Sequence, residues 1–326
     1  KGFGSLCGND DLESILHFNQ MANDYGMDTI SLTHCLAFCM DAYDLGILSK
    51  SDLDGIDMRW GNTDAMEAMI NQITFRHGIG DLLAEGMRRA TAEIGRGTEE
   101  MVVDFKGLED SSTDKRNDML IGLWGLTSTR GGDHLRACTS HFPNIPLDVA
   151  EALFGTKQAI NPRRAEGKGA LIKFNEDRVT TFDAMGICKF WWWWSSRWEN
   201  VNERIRVSAE AYTALTGLEA DPEWWAQTGD RIYNVERAFL SREGIRKKDD
   251  VRIPKKFSTP MPSGPGQGKV LSQEVVDVLM TDYYRARGWD DEGVPTPEKL
   301  KSLGMDDVAE ELWQAVARSD GKKVPA

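Results

Sequence analysis

Four apolar stripes at helical spacing, each closed by a glycine, fill the first 95 residues and constrain the fold more than any other feature of the chain. Asp10 followed by Glu13 has capping-box spacing, with Asp in place of Ser or Thr, and Leu12, Ile15, Leu16 and Ala22 form a stripe that stops at Gly26. Asp28 and Thr29 open a second helix, which carries Leu36, Phe38, Cys39, Met40 and Tyr43 before Gly46. A third runs from Thr63, with Met66, Met69, Ile70 and Ile73 on one face, to Gly78; a fourth runs from Gly80 through Leu83, Met87, Ala90 and Ile94 to Gly95. Helices this close in sequence bury their stripes against one another, which predicts a bundle.

Farther along, only segments such as 101–105 read as extended, and helices resume around 146–154, 201–216, 229–242 and 275–287. The fold class is mainly α. A change of composition at 95–100 divides the 326 residues into two helical domains, 1–100 and 101–326, each long enough to bury a core. The Pro- and Gly-rich stretch 258–268 is a loop or linker. No apolar run approaches the roughly 18 residues of a membrane span, so none is expected. Basic residues number 39 against 52 acidic, a net charge of -13, and such a surface repels phosphate backbones, which disfavours nucleic acid as a partner. The cysteines, Cys7, Cys35, Cys39, Cys138 and Cys188, are odd in number and scattered, and residues 1–9 lack a secretory h-region. A reducing cytoplasm is the expected compartment. The chain opens on Lys1 in what reads as a loop leading into a helix, and it is expected to continue a longer protein.

Two phrases share one outline: Asn23-Asp24-Tyr25-Gly26-Met27-Asp28 and Asp183-Ala184-Met185-Gly186-Ile187-Cys188. A glycine at a helix end lets the backbone turn through positive φ and can carry the following carboxylate or thiolate to a ligand. The alternatives are an N-cap for Asp28 and a buried small residue for Cys188. Cys188 alone cannot hold an iron–sulfur cluster, which takes four thiolates, so any cluster needs ligands from elsewhere. Cys35 and Cys39 lie four apart among core-type neighbours and read as inert thiols. Arg130-Gly131-Gly132-Asp133-His134 is a polar turn that can present His134 for proton transfer, or simply a surface histidine. His17, His34, His77 and His141 have no zinc-type spacing. The indoles Trp191 to Trp194 with Trp198 cannot all face one core, and they fill a domain interface or meet a cofactor or partner. The basic residues Arg246, Lys247, Lys248, Arg252, Lys255 and Lys256 read as a solvated loop, with docking of an acidic electron carrier as the other reading.

Taken as a set, the phrases resemble the tungsten-pterin aldehyde ferredoxin oxidoreductase family. The matching residues are Tyr25-Gly26-Met27-Asp28-Thr29-Ile30-Ser31, Trp60-Gly61-Asn62, Arg76-His77-Gly78-Ile79-Gly80-Asp81 continuing to Gly86, and Lys106-Gly107-Leu108-Glu109. They go on through Thr127-Ser128, Arg130-Gly131, His134-Leu135, 183–190, Glu236-Arg237-Ala238-Phe239, Arg242-Glu243-Gly244, Lys248-Asp249-Asp250 and Tyr283-Tyr284 with Arg287-Gly288-Trp289-Asp290. The resemblance covers nearly the whole chain and implies the family's domains 2 and 3.

It implies a tungsten-bis-pterin (molybdopterin) cofactor, with Asn23, Gly26, Met27 and Asp28 at one pterin and Asp183, Gly186 and Ile187 at the other. A carboxylate matches the pterin's amino and ring N–H edge in a charge-assisted pair. Cys188 would be the fourth ligand of a [4Fe-4S] cluster, His134 the active-site histidine near tungsten, and a magnesium ion would bridge the pterins. The implied activity is oxidation of an aldehyde to a carboxylic acid with electrons passed to ferredoxin or an iron–sulfur subunit, in a homo-oligomer.

The family's N-terminal pterin-cradling domain, its other cluster cysteines and an active-site Glu lie upstream of what this sequence contains. Asn23 stands where Asp is common, and Asp114-Lys115-Arg116 where Asp-Pro-Arg is usual. Cys35 falls where aldehyde-oxidising members have small or hydroxyl residues, and it is a candidate tungsten ligand. The other readings are a benzoyl-CoA type aromatic acyl-CoA reductase of the same family and a non-catalytic helical scaffold derived from it; molybdenum is the alternative metal.

Overall fold

The computed structural model describes residues 1–116, 118–137, 145–189 and 201–319; Cys138, His141 and the tryptophan run from Trp191 to Trp194 with Trp198 lie outside them. The described chain is helical, with strand confined to Asp104–Phe105 (β1) paired antiparallel with Leu108–Glu109 (β2). It forms two compact units, Lys1–Asp114 with Ile253–Thr259, and Lys115–Arg252 with Pro260–Ala326. The division expected at residue 100 falls inside the first unit. The reason is Glu109 of β2, which is buried and accepts hydrogen bonds from Ser31 Oγ (2.8 Å) and Met87 N (3.3 Å), so the hairpin belongs to the helices before it.

In the first unit the main helices are α1 (Leu12–Asp24), α2 (Thr29–Asp44), α3 (Thr63–Phe75), α4 (Ile79–Leu83) and α5 (Met87–Ile94), beside short turns at Gly2–Leu6, Thr98–Met101 and Lys255–Ser258. The cap of α1 is Asp11, not Asp10: its carboxylate accepts from Glu13 N (3.1 Å) and Ser14 N (3.3 Å). The fourth stripe is broken into α4 and α5 at Gly86, which adopts a φ of 88°. A side chain at Gly80 would place its Cβ 2.2 Å from the Gln72 carbonyl carbon, so a bare backbone is what lets α4 start against the end of α3. Phe18, Leu36, Cys39, Met40, Met66, Met69 and Ile70 form the centre of the core. The returning segment adds Phe257, whose ring stacks on Phe105 with centroids 6.2 Å apart. His34 on α2 is buried and donates from Nε2 to the Asp110 carbonyl at 2.6 Å. Desolvation lowers its pKa, outweighing the nearby acceptors, and keeps the ring neutral at pH 7.

The second unit holds α6 (Met119–Thr127), α7 (Leu147–Phe154), α8 (Lys168–Ala184), α9 (Val201–Thr216), α10 (Pro222–Arg242), α11 (Gln273–Arg287), α12 (Pro297–Ser302) and α13 (Asp306–Ser319). Helix α8 packs most extensively on α10 and α11. Glycines set both approaches: a Cβ at Gly229 would lie 1.7 Å from the Asp177 carbonyl oxygen, and one at Gly169 would lie 2.5 Å from the Asp282 carbonyl carbon. At the start of α8, Asp282 Oδ2 accepts from Gly169 N at 2.8 Å, and the buried Lys168 Nζ donates to the carbonyls of Ala159 and Asn161.

Between the three helices lies a buried ionic cluster. The Arg287 guanidinium meets Glu176 Oε2 (2.6 Å), Asp177 Oδ1 and Asp230 Oδ1 (3.4 Å). Lys173 bridges Asp177 (2.6 Å) and Asp230 (3.1 Å), and Lys299 reaches Asp230 at 2.5 Å. Tyr233 and Tyr283 donate to the two oxygens of Glu176 at 2.9 and 2.7 Å. Burial works against the charge of Asp230, yet Arg287, Lys173 and Lys299 hold it below the usual carboxylate range.

Two outcomes follow from this packing. Gly229→Ala forces α8 and α10 apart and is expected to cost about 1–3 kcal/mol, read as a lower urea midpoint; wild-type stability would refute the close approach. His34 in the folded chain resists protonation below its ordinary value of 6.5, whereas the unfolded chain takes the proton up. Stability therefore falls as pH drops from 6.5 towards the lowered native value, by at most about 1.4 kcal/mol per pH unit. His34→Gln should remove that slope, which urea unfolding across the window would measure.

Candidate functional site

The two glycine phrases fold into the same turn, one in each unit. After α1, Tyr25 N donates to Met21 O (3.0 Å), Gly26 N to Asn23 O (3.2 Å) and Met27 N to Ala22 O (2.8 Å). After α8, Met185 N donates to Thr181 O (3.2 Å), Gly186 N to Asp183 O (3.1 Å) and Ile187 N to Phe182 O (3.0 Å). Gly26 has a φ of 67° and Gly186 of 69°. These are helix stops in which the glycine takes the left-handed conformation and the next N–H reaches back five residues. The positive φ demands glycine at both positions, and a Cβ added at either would meet no described residue within 4 Å, so the surface above is open among the described residues.

Around the first turn, Asn23, Gly26 and Asp28 are exposed, and Met27 packs partly against the core, with Thr74 Oγ1 donating to its sulfur at 3.5 Å. Asp28 is an N-cap, as one reading held: its Oδ2 accepts from Ser31 N at 2.7 Å and so orients the carboxylate at the mouth of α2. Around the second turn, Ile187 and Cys188 are exposed, and the buried-residue reading of Cys188 does not hold. Asp183 is paired with Lys189 Nζ (2.9 Å) and, more loosely, with Arg136 Nη1 (3.6 Å).

His134 lies in the loop that follows α6, half-buried, with its ring 6.2 Å from that of Trp124. Its neighbour Asp133 accepts from Arg130 Nε (3.0 Å) and from Leu135 N (2.8 Å). Burial opposes the charge of Asp133, but Arg130 and the Leu135 N–H more than offset it, and the carboxyl stays below the usual range. The loop is tied down at both ends. Thr129 Oγ1 donates to Glu236 Oε2 (2.6 Å), Arg136 Nη2 meets Glu236 Oε1 (2.6 Å), and Lys189 Nζ donates to Leu135 O (3.2 Å). Sequence reasoning missed Arg136 and Lys189 in these roles, since partners 44 or more residues apart leave no spacing signal.

The donor set fits a pterin better than a bare metal. An open glycine face beside an oriented carboxylate suits a planar heterocycle with an N–H edge, whereas no group of three or more His, Cys, Asp or Glu side chains able to hold a metal ion occurs among the described residues. Cys188 offers one exposed sulfur. Cys35 fits less well: it is buried, its thiol approaches Leu83 O at 3.9 Å, and desolvation pushes its pKa up to about 12, so ligation would require deprotonation against that burial.

Residues 1–305 match the family model described as aldehyde ferredoxin oxidoreductase, domains 2 and 3. The tungsten-containing aldehyde ferredoxin oxidoreductase of Pyrococcus horikoshii is 31% identical over 313 residues, 93% of this chain and 47% of the relative. An aliphatic sulfonate oxidoreductase, WOR-like subunit, of Pyrococcus furiosus is 26% identical over 313 residues, 92% of this chain and 44% of the relative. The chain thus spans about half the length of the relatives it matches. Among solved structures, the active site complex BamBC of benzoyl coenzyme A reductase with 1,5-dienoyl-CoA has a TM-score of 0.73 at 24% identity, covering 97% of this chain and 49% of that one. That likeness is one of fold.

Proposed function

The chain belongs to the aldehyde ferredoxin oxidoreductase family, and from that premise we propose that it is the domain 2 and 3 portion of a tungsten-bis-pterin enzyme that oxidises an aldehyde to a carboxylic acid and delivers the electrons through a [4Fe-4S] cluster to ferredoxin. The observation that supports this reading most is the family match over residues 1–305, which takes in both glycine phrases. The stops at Gly26 and Gly186, each beside a carboxylate, are compatible with a planar ligand, although the same stop also ends helices at Gly46, Gly244 and Gly304.

When bound, the tungsten-pterin group supplies two-electron acceptor chemistry, and the residues of this chain hold it and manage protons. Gly26 and Gly186 leave room for the ring system, Asp28 and Asp183 accept from its N–H edge, and Asn23, Met27 and Ile187 line the approach. A magnesium ion would accompany the two pterins. Oxidation of an aldehyde with water releases two protons beside the two electrons, and His134 takes up a proton at a ring nitrogen. Cys188 supplies a thiolate to the cluster, whose other ligands come from the domain upstream. That upstream pterin-binding domain, ferredoxin or an iron–sulfur subunit and a second copy of the enzyme are the partners, and the cytoplasm is the compartment.

The test is metal analysis and substrate turnover of the assembled enzyme purified without oxygen, upstream domain included. Tungsten, iron and aldehyde-dependent viologen reduction are expected, and Gly186→Ala should lower pterin and tungsten content severalfold at little cost to folding, about 1 kcal/mol. Ring reduction of benzoyl-CoA without aldehyde oxidation would replace the substrate class, molybdenum in place of tungsten would replace the metal, and an intact complex free of metal would leave a helical scaffold.

A further inference from the structure

We propose that the Arg136–Glu236 ion pair is a positioning hub that locks the His134 loop and the Asp183 turn into one arrangement; this rests on the reading of Asp183 and His134 given above. Glu236, on α10, uses both carboxylate oxygens: Oε2 accepts from Thr129 Oγ1 at 2.6 Å and Oε1 from Arg136 Nη2 at 2.6 Å. It therefore grips the loop on either side of His134. Arg136 uses its other terminal nitrogen toward α8, donating to Thr180 Oγ1 at 3.3 Å and facing Asp183 Oδ2 at 3.6 Å. Lys189 closes the circuit by joining the same Asp183 oxygen (2.9 Å) to Leu135 O (3.2 Å). The circuit runs Thr129, Glu236, Arg136, Asp183, Lys189, Leu135, and His134 sits on the arc between its ends.

Burial gives this circuit its strength. The side chains of Arg136 and Lys189 are only 11% and 13% exposed, so their charges need the carboxylates that face them. A planar guanidinium shared between two helices also specifies direction, which an ammonium does not. Neither Arg136 nor Glu236 is a catalytic residue in this scheme. They act through His134 and Asp183, in the way an outer shell of hydrogen bonds orients the groups that touch a cofactor.

Two measurements test the hub. Amide hydrogen exchange of the full chain, which needs no cofactor, should rise about tenfold or more in both 129–136 and 185–189 for Glu236→Gln, with α11 protected as in wild type. Thr129→Val, which removes one hydroxyl and spares the ion pair, should loosen 129–136 alone and keeps the test decisive if Glu236→Gln fails to fold. Exchange unchanged in both segments would overturn the hub. In the assembled tungsten enzyme, Glu236→Gln should retain metal and pterin yet lose about ten- to a hundredfold in kcat with a smaller change in KM, and Arg136→Lys should recover part of what Arg136→Met loses. Full activity of Glu236→Gln would also overturn it. Asp183→Asn separates this from the parent reading: normal pterin content and turnover there would remove Asp183 as a pterin contact while leaving the exchange result to judge the hub.

Discussion

The buried guanidinium of Arg287 is the interaction on which the second unit depends. It has no exposure to solvent and meets Glu176, Asp177 and Asp230 from two different helices. A charge removed from water in this way is tolerable only where partners compensate it fully. Here three carboxylates face Arg287, Lys173 and Lys299, so the cluster is neutral as a whole. The requirement is mutual. None of α8, α10 and α11 can leave without stranding charge in the interior, and the tyrosines that donate to Glu176 add direction to an attraction that would otherwise have none.

That clamp reaches the proposed site of the unit through simple geometry. Gly229 lets α10 ride against the backbone of α8 at Asp177, and from there the two helices run on to Glu236 and to Thr180 and Asp183. The contact of α8 with α10 thus decides whether an arginine can span them. In the first unit a neutral histidine and a buried glutamate do comparable work by fastening the β1–β2 hairpin to α2, the helix that Asp28 opens.

Most helices with an apolar stripe are legible in the sequence, as are 229–242 and 275–287 despite their buried Asp230, Arg237 and Arg287; α13, with its stripe of Ala309, Leu312 and Val316, and the polar-cored α8 are not among the segments read as helix. Helices α2 and α3 follow the spacing of Leu36, Met66 and their companions, whereas α1 buries Phe18, Met21 and Ala22 and leaves the expected Leu12 and Leu16 exposed; the glycine stops at Gly26 and Gly46 are in place. In α8 the buried apolar residues Leu171, Ile172, Val179 and Phe182 are interrupted by the equally buried Asn175, Glu176, Asp177, Thr180 and Thr181, which obscures the stripe. Helix α6 is apolar on all sides and lacks periodicity for the opposite reason. Gly86 was read as part of a helix, since a single glycine in a helical pattern looks tolerable until its positive φ is known. Of the candidate site, the two phrases and His134 stand out in the sequence by type and order. The circuit of Thr129, Arg136, Lys189 and Glu236 joins residues distant in sequence, and only the packing of α8 on α10 brings them together.

Residues 253–259 leave the second unit's stretch of sequence and return to the first, where Phe257 lies against Phe105. The two units are therefore interleaved in the gene although each is compact in space. A break after Asp114 would strip the first unit of a core residue, and a clean excision of the second would carry that residue away with it. Neither unit is one unbroken stretch of sequence, so neither can be moved intact as a single contiguous segment.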